Sequence, residues 1–145
     1  MNLSGTHVTG DAGETRKLGA RFARALRRGD TVAFFGDLGS GKTTMIQGIV
    51  SRLTGKTATS PSFVLVKEYD GPTPVFHFDF YRFTNIREIE TLGWDEYAEK
   101  GIVLVEWAQR VQAVLPPLAM RVSFSITGEN RRAIEIEIPG GTVLQ

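Results

Sequence analysis

Residues Gly36-Asp37-Leu38-Gly39-Ser40-Gly41-Lys42-Thr43 spell G-x-x-x-x-G-K-T, a pattern that leaves the backbone few choices. Its glycines let the chain turn tightly around a polyphosphate and aim successive N–H groups at negative charge. Before it, Thr31-Val32-Ala33-Phe34-Phe35 is an apolar run that predicts a short buried strand. After it, Met45, Ile46, Ile49, Val50 and Leu53 recur at helical spacing. Strand, glycine loop and helix in that order is the context the pattern needs, because the helix N-terminus adds its own unpaired N–H groups. In this setting Lys42 sets a positive charge against the outer phosphates, and the Thr43 hydroxyl is a ligand for Mg²⁺. Gly55-Lys56-Thr57 repeats the tripeptide but has Val50 where the first glycine belongs, and is read as a coincidence.

A chain of 145 residues suits one domain with a proper core. Its last residues, 139–145, are expected to form a flexible tail. The absence of cysteine excludes disulfides and thiolate metal sites. A formal net charge of +1 gives no overall field toward nucleic acid or a membrane. Met1 to Thr9 has neither a basic start nor an apolar core typical of a leader, and no apolar run approaches spanning length. The expectation is a cytoplasmic protein.

Residues 11 to 28 predict a helix, with Asp11 and Glu14 as a capping box and Leu18, Phe22, Ala25 and Leu26 as its apolar stripe. Lys17, Arg21, Arg24 and Arg28 line the opposite side, a pattern read as a solvated face. Beyond the loop helix, Thr59 to Phe63 is polar and broken by Pro61. Val64 to Tyr69 predicts a strand, Asp70-Gly71-Pro72 a turn, and Val75 to Phe83 the return strand. There Phe76, Phe78 and Phe80 alternate with His77, Asp79 and Tyr81, which puts the polar side chains together on one face, with Arg82 following.

Asn85 with Glu88 begins another predicted helix carrying Ile86, Ile89 and Leu92, and a further turn or two follows around Asp95 to Glu99. Ile102-Val103-Leu104-Val105 then marks a strand buried on both sides, as in a parallel sheet. Glu106 ends that run where open α/β sheets bind ligands, so it fits a metal-facing acid better than Asp79 does. Ala108 to Leu115 predicts a short helix stopped by Pro116-Pro117. Met120 to Ile126 and Ile134 to Ile138 alternate around Gly128-Glu129-Asn130, an antiparallel hairpin expected at one edge of the sheet. Arg131 and Arg132 sit just after its turn; such a position can reach a nucleotide, but loop arginines more often only meet solvent. The fold class is therefore α/β, a three-layer arrangement with a mostly parallel central sheet and antiparallel hairpins.

Together, the glycine loop, Ser60-Pro61-Ser62-Phe63, His77-Phe78-Asp79-Phe80-Tyr81-Arg82 and Glu106-Trp107 resemble the TsaE (YjeE) family of P-loop ATPases. The similarity runs from about Asp11 to Ile138, with Ser62 where the family usually has Thr and Phe80 where it often has Leu. The resemblance implies an ATPase supporting threonylcarbamoyl modification of tRNA adenosine, using ATP and Mg²⁺ and acting with TsaD and TsaB, while tRNA itself is met only indirectly. It places phosphates on Gly39, Ser40, Gly41, Lys42, Thr43 and Thr44, within the loop that Gly36, Asp37 and Leu38 begin. It places Mg²⁺ on Thr43 and Glu106, with Asp79 at the metal or its waters, so that Lys42, Asp79 and Glu106 are the catalytic candidates. It also puts Thr15 near the adenine side, Arg131 near the nucleotide, and a switch-like loop at Ser60 to Phe63. His77, Tyr81, Arg82 and Trp107 are expected at a switch or partner contact.

Rival classes are poorer fits. A small-molecule kinase needs an acceptor region and an arginine-bearing lid, for which the chain has little room. A guanine-nucleotide switch needs Asn-Lys-x-Asp, which the sequence lacks. A non-catalytic tRNA-binding module rests on the basic helix face alone.

Overall fold

The aliphatic runs marked as buried strands lie in the middle of one sheet. The computed structural model describes residues 3–59, 66–82 and 93–139. Its strands are β1 (Gly5–Thr9), β2 (Thr31–Phe35), β3 (Val66–Tyr69), β4 (Val75–Asp79), β5 (Ile102–Glu106), β6 (Met120–Ile126) and β7 (Arg132–Glu137). They are ordered β1-β7-β6-β2-β5-β4-β3. The neighbours β6, β2, β5 and β4 run parallel. Antiparallel pairs finish both flanks: β3 on β4, and β7 on β6 with β1 outermost. The described helices are α1 (Ala12–Ala23), α2 (Lys42–Thr54) and α3 (Trp94–Lys100).

Alternation along the central strands divides the core between two sheet faces. Val32, Phe34, Ile102 and Leu104 face α1 and α2, packing with Leu18, Phe22, Met45, Ile46 and Ile49. Ala33, Val103 and Val105 face the other way and meet Phe76, Phe78, Phe80, Trp94 and Val111. This makes three layers around a mostly parallel sheet, as the sequence implies. Among the described residues, no helix is long and apolar enough to cross a membrane.

Several expected boundaries move. The first helix ends at Ala23 rather than residue 28, because Arg24, Ala25 and Leu26 donate three residues back, to Arg21, Phe22 and Ala23, and tighten the chain into turns. Gly5–Thr9, to which the sequence assigns no element, is an edge strand paired with β7. The return strand stops at Asp79, whose carboxylate accepts from Tyr81 N in a local turn. The helix expected over 108–115 is two 3₁₀ turns, Ala108–Arg110 and Gln112–Val114, entered through Trp107 in the left-handed region. The C-terminal hairpin does lie toward one edge, but β6 reaches inward to pair with β2 and only β7 and β1 lie outside it. The helix expected from Asn85 to Leu92, the start of the strand at Val64 and nearly all of the 139–145 tail lie outside the described residues.

Helix α1 is brought against α2 by two glycines. A Cβ on Gly19 would meet the Met45 carbonyl, and one on Gly48 would meet the Arg16 carbonyl. Backbone therefore packs on backbone, and α1 starts beside the glycine loop. The Asp11 carboxylate caps α1 by accepting from Glu14 N at 2.8 Å, and Glu14 returns the bond to Gly10 N at 2.7 Å.

Gly48→Ala should lower stability by about 1–3 kcal/mol through overpacking, outweighing the roughly 1 kcal/mol that alanine gains in a helix interior. Thermal or urea unfolding measures it. An unchanged or raised midpoint would mean that the two helices do not need this approach.

Candidate nucleotide-binding site

The loop after β2 follows from its glycines. Gly39 and Gly41 take φ values of 76° and 108°, the left-handed region that side chains disfavour. Gly41 is also the N-cap of α2 and no side chain caps that end, so the first helical N–H groups point back into the loop. Lys42 is buried at 3% exposure, with Nζ donating to Gly36 O at 2.7 Å, Asp37 O at 2.8 Å and, at 3.4 Å, Ser40 Oγ. Burial lowers its pKa from the ordinary lysine value, and the negative charges of Glu106, Asp37 and Asp79 resist that shift. The indole of Trp107 lies under the same ammonium, 4.2 Å from Nζ to the ring centroid.

Glu106 is placed by the same alternation. Ile102, Leu104 and Glu106 share the face turned toward α2, and the carboxylate emerges beside the first turn of that helix. Thr43 Oγ1 donates to Glu106 Oε2 at 2.7 Å, and His77 Nε2 lies 2.9 Å from Oε1. Burial pushes the Glu106 pKa up, but His77, the Thr43 hydroxyl and the Lys42 charge together outweigh it, so the carboxyl titrates below its ordinary 4.5. The site thus holds an ionised carboxylate and a hydroxyl oxygen side by side, the donor chemistry a hard cation takes. Among the described residues, no group of three or more His, Cys, Asp or Glu side chains forms a closed metal cage.

A cavity of about 230 Å³ opens over these groups, lined by Gly39 to Thr44, Leu38, Glu106 and Trp107, and on its far side by Asp11, Ala12, Thr15, Asn130 and Arg132. The glycine loop, Thr15, Glu106 and Trp107 therefore meet at one place. Thr15 is buried and shares a 2.8 Å hydrogen bond with Thr9 Oγ1. Gly36 and Asp37 contribute carbonyls to Lys42. Asp79 sits beside Glu106 as its register partner across β4 and β5 but does not line the cavity.

Three placements differ from expectation. Arg131 is exposed and outside the cavity lining, whereas its neighbour Arg132 lines it and donates Nη2 to Gly39 O at 3.0 Å. Arg132 is the first residue of β7, whereas Arg131 precedes the strand, so only one of the two consecutive arginines turns toward the loop. His77 does not share an exposed polar face with Tyr81: it is 0% exposed, because β4 is covered on both sides. Tyr81 is exposed and meets Trp107 at a tilt of 43° with centroids 4.9 Å apart, and Arg82 is exposed beyond it. Ser60 to Phe63 lie outside the described residues. Gln109, which the sequence does not single out, donates to Gly36 O at 2.9 Å from the first 3₁₀ turn.

A glycine loop joining a central parallel strand to a helix, with an acid ending the adjacent parallel strand, defines the P-loop NTPase-like class of α/β proteins. A crystal structure of Bacillus subtilis YdiB is similar, with a TM-score of 0.78 and 33% identity over 92% of this chain and 84% of that one. The family model described as "Threonylcarbamoyl adenosine biosynthesis protein TsaE" matches residues 9–134, and the chain belongs to the TsaE family. Relatives called "tRNA threonylcarbamoyladenosine biosynthesis protein TsaE" include one from Bacillus subtilis, 36% identical over 88% of this chain and 81% of its own length. Another, from Rickettsia typhi, is 32% identical over 90% of this chain and 93% of its own length.

Because the folded value of Glu106 is depressed, its contribution to stability is complete above the ordinary 4.5 and is lost as pH falls through the lower folded value. Glu106→Gln should flatten that acid limb in urea unfolding followed from neutral to acid pH. An identical limb in the variant would mean that Glu106 is not held as a carboxylate.

Proposed function

We propose that this chain binds ATP with Mg²⁺ and hydrolyses it slowly, in support of threonylcarbamoyl modification of tRNA adenosine. The observation that carries the nucleotide reading is the 2.7 Å pairing of Thr43 with Glu106 at the foot of a cavity that Lys42 also lines. Membership of the TsaE family carries the tRNA reading. The resemblance to that family supplies TsaD and TsaB as partners, an indirect route to tRNA, and a cytoplasmic setting.

Hydrolysis of a phosphoanhydride requires positioning and charge neutralisation rather than a covalent intermediate. The amides of Gly39 to Thr44 hold phosphate oxygens, and Lys42 exchanges its loop carbonyls for them. Thr43 and Glu106 would hold Mg²⁺, which when bound with nucleotide would supply charge neutralisation. Asp79, next to Glu106 in the sheet, would serve the metal through its waters. Arg132 donates to the carbonyls of Gly39, Gly128, Glu129 and Arg131, so its guanidinium is already committed to the loop and the turn. A slow isolated ATPase that waits for a cation from its partner is consistent with that commitment. The lack of Asn-Lys-x-Asp favours ATP over GTP.

Lys42→Ala should weaken ATP binding at least tenfold, about 1.4 kcal/mol or more, and abolish turnover while the fold persists. Calorimetry with ATP and GTP, alongside circular dichroism, measures both. Unchanged ATP affinity in a folded variant would overturn the nucleotide reading.

The isolated chain should turn over well below the roughly 1–100 s⁻¹ of kinases, and adding TsaD and TsaB should raise its rate. Full activity alone, indifferent to both proteins, would instead indicate an independent ATPase or a small-molecule kinase.

A further inference from the structure

His77 is an unusual resident of its position. It lies in β4 between Phe76 and Phe78, is 0% exposed, and faces Leu104 in register on β5. Its register partner on the other side is Lys67 of β3, and a leucine or phenylalanine would fill the same buried space. The imidazole instead leaves Nδ1 buried with no hydrogen-bond partner among the described residues. A buried polar atom left in that state costs about 1–3 kcal/mol. That cost has to be set against what Nε2 does for its own partner.

The remaining bond shows what the residue does. An ionised carboxylate only accepts, so the proton of the 2.9 Å contact with Glu106 Oε1 sits on His77 Nε2. Glu106 has a terminal torsion that is broad and roughly two-fold, so a single contact does not fix the plane of its carboxylate. Two contacts do. His77 takes Oε1 and Thr43 takes Oε2, so each oxygen has its own partner. Phe80 N also donates to Glu106 O at 3.1 Å, tying the end of β4 to the main chain of the same residue.

We propose that His77 is a positioning residue whose Nε2–H locks the Glu106 carboxylate so that Oε2 is held at Thr43, where a divalent cation bound with nucleotide would be taken. The proposal rests on the ATP–Mg²⁺ reading above and assigns His77 a role in metal affinity, rather than in partner contact. Outer groups that orient a metal-binding side chain commonly govern metal affinity by about 10–100-fold.

The test separates metal affinity from nucleotide affinity. With nucleotide saturating, Mg²⁺ is titrated into the full chain and into His77→Leu and His77→Gln, following tryptophan emission or heat. His77→Leu should need about tenfold more Mg²⁺. Its affinity for ATP in EDTA should change less than twofold and circular dichroism should show it folded, with a lowered melting temperature because Glu106 Oε1 loses its partner. His77→Gln places an amide N–H near the Nε2 position and should recover most of the Mg²⁺ affinity. An unchanged Mg²⁺ midpoint in the leucine variant, or no recovery in a folded glutamine variant, would overturn the proposal. Nitrogen NMR of the unsubstituted protein adds a check that needs no nucleotide: a proton on Nδ1 instead of Nε2 would also overturn it. If the unsubstituted chain binds no nucleotide, the ATP reading falls by itself, and the NMR result still decides whether His77 donates to Glu106.

Discussion

A negative charge at the end of a fully buried strand is tolerable only when both carboxylate oxygens are satisfied, and the site is arranged around meeting that condition. Glu106 is 4% exposed and belongs to the strand Ile102–Glu106, buried throughout. An isolated carboxylate there would take up a proton. Thr43 from the start of α2 and His77 from β4 hold it ionised, so three elements converge on one side chain. The same convergence fixes where the glycine loop ends, because Thr43 is the second residue of the helix that the loop begins.

Lys42 faces the converse problem. Its ammonium is enclosed by loop carbonyls, Ser40 Oγ and the Trp107 ring, groups that offer partial negative charge. Trp107 reaches this place through a φ of 59°, a left-handed conformation that costs a residue with a Cβ about 1–3 kcal/mol. Contacts to the ring offset that cost: Lys42 lies over it, Tyr81 meets it at a tilt with centroids 4.9 Å apart, and Arg110 approaches to 5.6 Å. The bend also turns the chain abruptly out of β5 into the first 3₁₀ turn, whose Gln109 returns to Gly36 O.

Much of this was legible in sequence because local rules and tertiary rules agree there. The pattern from Gly36 to Thr43 has one geometry that suits its glycines, and Ile102 to Val105 has no polar side to show solvent. The illegible parts are those where long-range pairing overrides local pattern. Gly5–Thr9 carries too little apolar alternation to announce a strand and forms one by pairing with β7. His77 alternates with phenylalanines, which suggests an exposed polar face, yet helix α2 and the opposite core layer cover both sides of β4. Whether Arg131 or Arg132 turns to the loop depends on the hairpin register, Ile126 opposite Arg132, which composition does not specify.

The helix crossing links these local facts to the shape of the cavity. Asp11, Ala12 and Thr15 line its far side because α1 begins beside the loop, and α1 begins there because Gly19 and Gly48 allow its backbone to rest on α2. Side chains at those two positions would force the axes apart, and the helix start would recede from Gly39 to Thr44. Opposite, Arg132 draws the β6–β7 turn onto Gly39 O and supplies the remaining wall. The wall of the cavity is thus set by two contacts remote from its floor, whereas the floor is set by the satisfaction of one buried carboxylate. A change at the glycine pair should therefore alter the shape available to the outer part of a ligand before it disturbs the Thr43–Glu106–His77 contacts beneath it.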